Sequence, residues 1–169
     1  MALTDKTDLF LSVLEANKGI IYKIANAYCQ DAENKKDLVQ EIILQLWKSF
    51  EKYDEQFRHS TWIYRISLNV AISNYRKETR RKEISNPYSE GLFSLADFQE
   101  SKELQGNTLF LQQFIIELKE LDKALMLLYL EEKSHKEISE IIGITETNVA
   151  TKIGRIKTIL KQKFSQIPT

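Results

Sequence analysis

The segment SHKEISEIIGITETNVATKIGRIKTILKQKF, Ser134 to Phe164, constrains this chain more than any other part of it. It predicts a helix, a sharp glycine turn and a second, basic helix. Ser134 and Glu137 have the spacing of a capping box, in which the hydroxyl takes one orphan amide and the glutamate reaches back to another. Ile138, Ile141 and Ile142 then share one helical face. Gly143 falls where the helix must stop with a positive φ, and Thr145 is placed to cap the next one. In that second helix Val149, Ile153, Ile156 and Leu160 gather on a narrow arc. Its other side carries Thr147, Asn148, Thr151, Lys152 and Arg155, and no acidic residue follows Glu146. A helix packed on one side and polar-cationic on the other has the form that enters a DNA major groove.

Two helices joined by a glycine turn also occur in ordinary bundles, and a basic last helix can simply complement its own macrodipole. The rest of the chain decides between these. Its 169 residues leave room for one domain or two small ones, and 43% hydrophobic with 28% charged residues is ordinary for a folded, soluble protein. Five glycines and two prolines favour helix. The opening MALTDKTDLF holds acids and no unbroken apolar run, which predicts no signal peptide. The longest apolar run, Ala124 to Leu130, is far short of the ~20 residues a membrane span needs, so no membrane insertion is expected. A lone cysteine, Cys29, has no internal disulfide partner; it fits a cytoplasmic protein and a small buried hydrophobe.

The net charge of zero conceals segregation. Arg58, Arg65, Arg76, Lys77, Arg80, Arg81 and Lys82 stand against the single acid Glu78 between Phe57 and Lys82. The following stretch is acidic, with Glu83, Glu90, Asp97, Glu100 and Glu103, and the last helix is basic again. Two basic elements parted by an acidic connector suggest two separate contacts with a polyanion.

Helical periodicity runs through the whole first half. Leu9, Phe10, Val13, Leu14, Ile20, Ile21 and Ile24 make one long amphipathic element, with a perturbation expected at Gly19. Asp31 is placed to cap a second, whose Leu38, Val39, Ile42 and Leu46 share a face. Glu51 to Ser60 lose the period and predict a loop. Thr61 is placed to cap a third helix running to about Arg81. The stretch 84–107, with Pro87, Gly91 and Gly106, predicts a flexible linker in which Leu92, Phe93, Leu95 and Phe98 form one apolar cluster. Fully stretched, ~20 residues reach roughly 70 Å, about two turns of DNA. Asp122 is placed to cap the helix ALMLLYL that leads into the glycine turn. The expected architecture is all-α, with two small helical domains at 1–83 and 108–169.

Three constellations carry chemistry. On the second helix the side opposite the core holds Asp37, Gln40, Glu41, Leu44 and Lys48, with Trp47 at its edge. A leucine amid fixed polar groups looks like a protein-docking surface; the alternatives are a single scattered surface apolar residue or cover by a neighbouring helix. On the third helix Arg65, Asn69, Arg76 and Arg80 form one stripe that can track phosphates, where the bland alternative is a solvated basic end. The loop before it combines Tyr53, Phe57, Arg58, His59 and Ser60, aromatic rings beside cations, which suits unstacked bases. His59 and His135 are too few and too scattered for a metal site. No nucleophile–base pair, phosphate-cradling glycine loop or zinc spacing occurs, so neither catalysis nor a cofactor is expected.

DLVQEIILQLW, FRHSTWIYRISLNVAISNYRKETRRKE and KEISEIIGITETNVATKIGRIKTILKQKF, in that order, resemble the extracytoplasmic-function (ECF) group of bacterial sigma factors, over roughly Phe10–Lys82 and Phe110–Phe164. The resemblance implies sigma region two in the first domain and sigma region four, with its helix-turn-helix, in the second. It implies that Asp37, Gln40, Glu41, Leu44 and Trp47 dock on core RNA polymerase. Tyr53, Phe57, Arg58, Ser60, Thr61 and Asn69 would then capture a base of the minus-ten element, while Arg65, Arg76 and Arg80 hold the melted strand. Thr147, Asn148, Thr151, Lys152 and Arg155 would read the minus-thirty-five duplex. Ser139 departs from the alanine usual in such turns. Control would come from a separate protein, which leaves a place for an anti-sigma partner. The nearest rival is a stand-alone helix-turn-helix regulator, which leaves the Leu44 face and the arginine stripe without a role; a helical interaction module is the other.

Overall fold

The computed structural model describes residues 3–85 and 104–166, and among these the chain is helical with no strand. Helix α1 (Leu3–Tyr28) is unbroken, so the perturbation expected at Gly19 does not occur. One mid-helix glycine costs only about 1 kcal/mol against alanine, and the buried row Phe10, Val13, Ile21, Ile24 and Ala25 outweighs it. Asp31 caps α2 (Ala32–Ser49) by accepting from the Asn34 amide at 3.2 Å. A 3₁₀ turn, Phe50–Lys52, follows.

Helix α3 (His59–Ser85) begins two residues before the expected cap. The Trp62 amide donates to the Arg58 carbonyl at 3.2 Å, and Thr61 is buried in the first turn rather than capping it. The rings of His59 and Trp62 both pack on Tyr53, with centroids 4.8 and 5.2 Å away, which ties the helix start to the aromatic cluster. At its far end α3 passes Arg81, so Ile84 and Ser85 are helix rather than linker. Helix α4 (Leu104–Glu117) takes in Gly106 from the other side. Residues 86–103, including Leu92, Phe93, Leu95 and Phe98, lie outside the described residues.

Helix α5 (Glu120–Leu130) has Lys119 at its N-cap with no side-chain bond. Asp122 sits inside the first turn, where its charge meets the positive end of the helix dipole instead of capping an amide. The capping box on α6 (His135–Ile142) is complete: the Glu137 amide donates to Ser134 Oγ at 3.1 Å and the Ser134 amide to Glu137 Oε2 at 2.9 Å. Gly143 ends that helix at φ 84°, and Thr145 caps α7 (Glu146–Ser165) by accepting from the Asn148 amide at 3.1 Å. Ser139 donates to the Ile144 carbonyl at 2.5 Å, so the departure from alanine adds a bond across the turn.

Helices α1, α2 and α3 enclose Ile21, Ile24, Ile42, Leu46, Ile63 and Leu68. Helices α5, α6 and α7 enclose Leu125, Leu128, Ile138, Val149 and Ile153. Cys29 is buried in the first group, and burial pushes its thiol up, as a packing role requires. The two groups touch where α5 and α6 lie against α3.

Candidate polymerase and nucleic-acid interfaces

With Leu38, Val39, Ile42 and Leu46 committed to the core, the helical period turns Asp37, Gln40, Glu41, Leu44 and Lys48 outward, and all five are exposed. Among the described residues no neighbouring element covers Leu44, which is 46% exposed. Trp47 behaves differently. It is half-buried, edge-on to Phe10 at 5.1 Å, with the Lys6 ammonium 4.9 Å from its ring. The α1 terminus thus holds the tryptophan in place and leaves only its rim available.

The loop between α2 and α3 is braced from inside. The Tyr53 hydroxyl donates to the Phe57 carbonyl, and the Tyr53 ring sits between His59 and Trp62. This fixes Phe57, half-buried, below the guanidinium of Arg65 at 5.3 Å. An aromatic face with a cation over it can receive a base and a phosphate together. Arg58 is exposed and Ser60 half-buried, but Thr61 is only 8% exposed. The structure sets Thr61 behind the loop, where it supports the first turn and offers no surface to a base.

Along α3 the residues Arg65, Asn69, Arg76 and Arg80 are all exposed, spanning about 22 Å at 1.5 Å per residue. The sequence reading missed Ser73 and Lys77. With Asn69, Arg76 and Arg80 they line a shallow depression of about 320 Å³, and the signal was present in the i, i+4 spacing from Asn69 through Ser73 to Lys77. Arg76 is not free: its Nε lies 2.8 Å from Glu120 Oε1, and that bond holds the Glu120 carboxyl below the usual range. A larger open groove, about 1090 Å³, runs between α2 and α3, with Asp37, Glu41 and Gln45 on one wall and Asn69, Ser73 and Lys77 on the other.

In the second unit Val149, Ile153 and Ile156 face inward, and Thr147, Asn148, Thr151 and Arg155 are exposed; Lys152 is half-buried at the edge of the face. Two of the more C-terminal cations, Lys157 and Lys163, pack on their own unit, while Lys161 is exposed. Lys157 lies over the Tyr129 ring at 5.1 Å, and Lys163 pairs with Glu117 at 3.4 Å and stacks on Phe114 at 5.5 Å. The first half of α7 offers a polar-cationic face, the half that a helix-turn-helix inserts. No group of three or more His, Cys, Asp or Glu suited to a metal ion occurs among the described residues.

Comparison with known proteins assigns both units. The family model Sigma-70 region 2 matches residues 13–81 and the model Sigma-70, region 4 matches residues 111–160. The ECF RNA polymerase sigma factor SigW of Bacillus subtilis (strain 168) is 27% identical over 173 residues, covering 95% of this chain and 91% of that protein. SigM of the same organism is 25% identical over 147 residues, covering 86% and 89%. Among solved structures, the sigma factor RpoE in complex with the anti-sigma factor NepR from Bartonella quintana superposes with a TM-score of 0.71 at 18% identity, over 98% of this chain and 100% of that one. CnrH in complex with the cytosolic domain of CnrY gives 0.68 at 15% identity, over 96% and 91%. At such identities the structures speak for the fold alone. With both family regions present in order, the chain belongs to the extracytoplasmic-function group of the sigma-70 family and is an RNA polymerase sigma factor, a non-enzymatic factor of transcription initiation that binds core polymerase and promoter DNA.

Proposed function

We propose that the three surfaces divide the work of initiation as follows. The exposed side of α2, Asp37, Gln40, Glu41 and Leu44 with the rim of Trp47, docks on core polymerase. Phe57, with Arg58 and Arg65 beside it, captures an unstacked base of the minus-ten element, while Asn69, Arg76 and Arg80 follow the strand. Thr147, Asn148, Thr151, Lys152 and Arg155 read the minus-thirty-five duplex. Residues 1–83 and 108–169 act as the two functional domains, and the chain works in the cytoplasm. The structure of RpoE with the anti-sigma factor NepR supports control of this chain by a separate anti-sigma protein.

One observation carries the assignment: Leu44 stands uncovered at the centre of a polar, partly acidic face, on the helix next to the loop that holds Phe57. A stand-alone duplex-binding regulator has no use for either. Reconstituting the chain with core polymerase on a library of promoter fragments and sequencing the transcripts tests the whole scheme. Initiation from a small set of fragments that share two spaced elements is expected. Specific duplex binding without any polymerase-dependent transcript would overturn it.

A further inference from the structure

Gly154 stands exposed in the middle of α7, where the fold has no need of a glycine. A Cβ built there meets nothing within 4 Å, so no packing excludes a side chain. Gly143 takes a φ of 84° that favours glycine, whereas Gly154 lies in ordinary helix. A glycine inside a helix costs stability against alanine, and here the fold gains nothing in return. The position is also specific. Val149, Ile153 and Ile156 face inward. At about 100° per residue, Gly154 and Arg155 then lie about 130° from that buried row, on opposite sides of Thr151 and Thr158. All four are exposed. The Thr158 hydroxyl donates to the Gly154 carbonyl at 3.0 Å, so it stays with the helix backbone and does not fill the gap. Lys161 follows Gly154 by two turns, on the same side of α7, and is exposed.

We infer that the missing side chain at Gly154 admits one sugar–phosphate wall of the major groove against the backbone of α7, and that Lys161 meets a phosphate of that wall. The inference rests on the assignment of α7 to the duplex, and it adds to that reading a position that sets depth and a contact that holds it. A major groove is about 12 Å wide, and a helix with its side chains measures about 10–12 Å across. Little clearance remains when both flanks carry side chains. Arg155 occupies one flank, and Gly154 leaves the other empty. Glycine is the residue that lets a backbone and a ligand approach closely. Lys161 lies about 10 Å further along the helix from Gly154, where its ammonium can anchor the wall that the glycine lets in. Phosphate contacts of this kind fix register and carry no sequence information themselves. Gly154 is therefore a positioning residue, acting through the depth to which Thr151 and Arg155 are carried.

Gly19 supplies the comparison. It too is exposed in mid-helix with nothing within 4 Å of a Cβ, but it lies on α1, to which no part in duplex binding falls. In the full-length chain, Gly19→Ala and Gly154→Ala are each expected to raise the unfolding midpoint by about 2–4 °C, the gain in helix propensity. Binding is read by anisotropy with a pool of random-sequence duplexes of about 20 base pairs, two helical turns, and preference by sequencing the bound fraction. Gly19→Ala should leave both unchanged. Gly154→Ala is expected to weaken binding about 5-fold and Gly154→Gln up to about 100-fold, the range for forcing extra carbons into a filled contact, and both should flatten the preference. Lys161→Ala should lower the salt slope by about 1 and do nothing further in the Gly154→Gln background, where the wall is held away. Full additivity of those two changes would remove Lys161 from the contact. If the Gly154 variants are more stable yet bind as wild type while Arg155→Ala weakens binding, the close approach is overturned and the α7 assignment stands. If Arg155→Ala also has no effect, that assignment fails and the inference with it. A Gly154→Ala chain that loses stability together with binding shows a structural glycine and overturns the inference as well.

Discussion

Replacing Leu44 by aspartate separates docking from folding more cleanly than any other change in this chain. Leu44 is 46% exposed and lies opposite the buried row of α2. Exposed positions away from special features change stability by no more than about 0.5 kcal/mol, so the fold should survive. Full burial of a leucine contributes about 1.5–3 kcal/mol. The exposed share of Leu44 then stands to gain roughly 1 kcal/mol when a partner covers it. Leu44→Ala should forfeit that amount and weaken core binding about 5-fold. Leu44→Asp also seals an unpaired carboxylate into the contact, at least another 1–3 kcal/mol. The total of about 2–4 kcal/mol corresponds to a loss of roughly 30- to 1000-fold. Titration of labelled core polymerase measures both constants, with circular dichroism confirming helix content. Wild-type affinity for a folded Leu44→Asp chain would refute the reasoning, and equal losses for the two variants would refute its electrostatic part.

Arg155→Ala is expected to weaken promoter duplex binding by about 1–3 kcal/mol if its contact is bidentate to a base. Competition with single-base variants shows relaxed specificity at one position for a base contact and uniform weakening for a phosphate contact. Phe57→Ala should lower the preference for minus-ten strand over scrambled strand by about 1–3 kcal/mol per stacked base, read by fluorescence anisotropy; an unchanged preference removes Phe57 as the platform. Glu120, held down chiefly by Arg76, and Glu137, held down chiefly by the Ser134 amide, both lie below the ordinary 4.5 in the folded chain. Their stabilisation is complete above that value and is lost as pH falls through the lowered ones. The unfolding midpoint should therefore drop on acidification below about pH 4.5, and less steeply in Glu120→Gln, whose effect is modest because the pair is part-exposed.

Local rules carried the second unit almost unaided. Ser134, Glu137, Gly143 and Thr145 specify their turn through bonds spanning three or four residues, and each stands in the structure as its spacing predicts. The Leu44 face was equally open to reading, because a 3.6-residue period assigns sides without knowledge of neighbours. Thr61 and Asp122 were misplaced for the opposite reason. Both have good capping chemistry, but the aromatic packing of His59 and Trp62 on Tyr53 started α3 earlier, and Lys119 opened α5 without any side-chain cap. The Gly19 break failed because burial of a whole helix face outweighs one residue's propensity. Least legible was the contact between the two groups of helices. Lys123 stands just before the apolar run Ala124 to Leu130, beside Asp122, and nothing in its local sequence marks it for burial; the meeting of Tyr28, Tyr75 and Ala27, from two distant helices, explains it.

The aromatic cluster of the first unit gives the molecule a built-in optical probe. Its two tryptophans, Trp47 and Trp62, both belong to that cluster, and the second unit has none. Trp47 leans on Phe10 beneath the Lys6 ammonium at the edge of the proposed docking face. Trp62 contacts Phe50 and Tyr53 under the proposed base-capturing loop. Intrinsic emission of the unlabelled chain thus comes from two places, one beside each proposed partner, and substituting either tryptophan by phenylalanine isolates the other. Polymerase docking and strand capture can then be followed separately in time, without a dye on either surface.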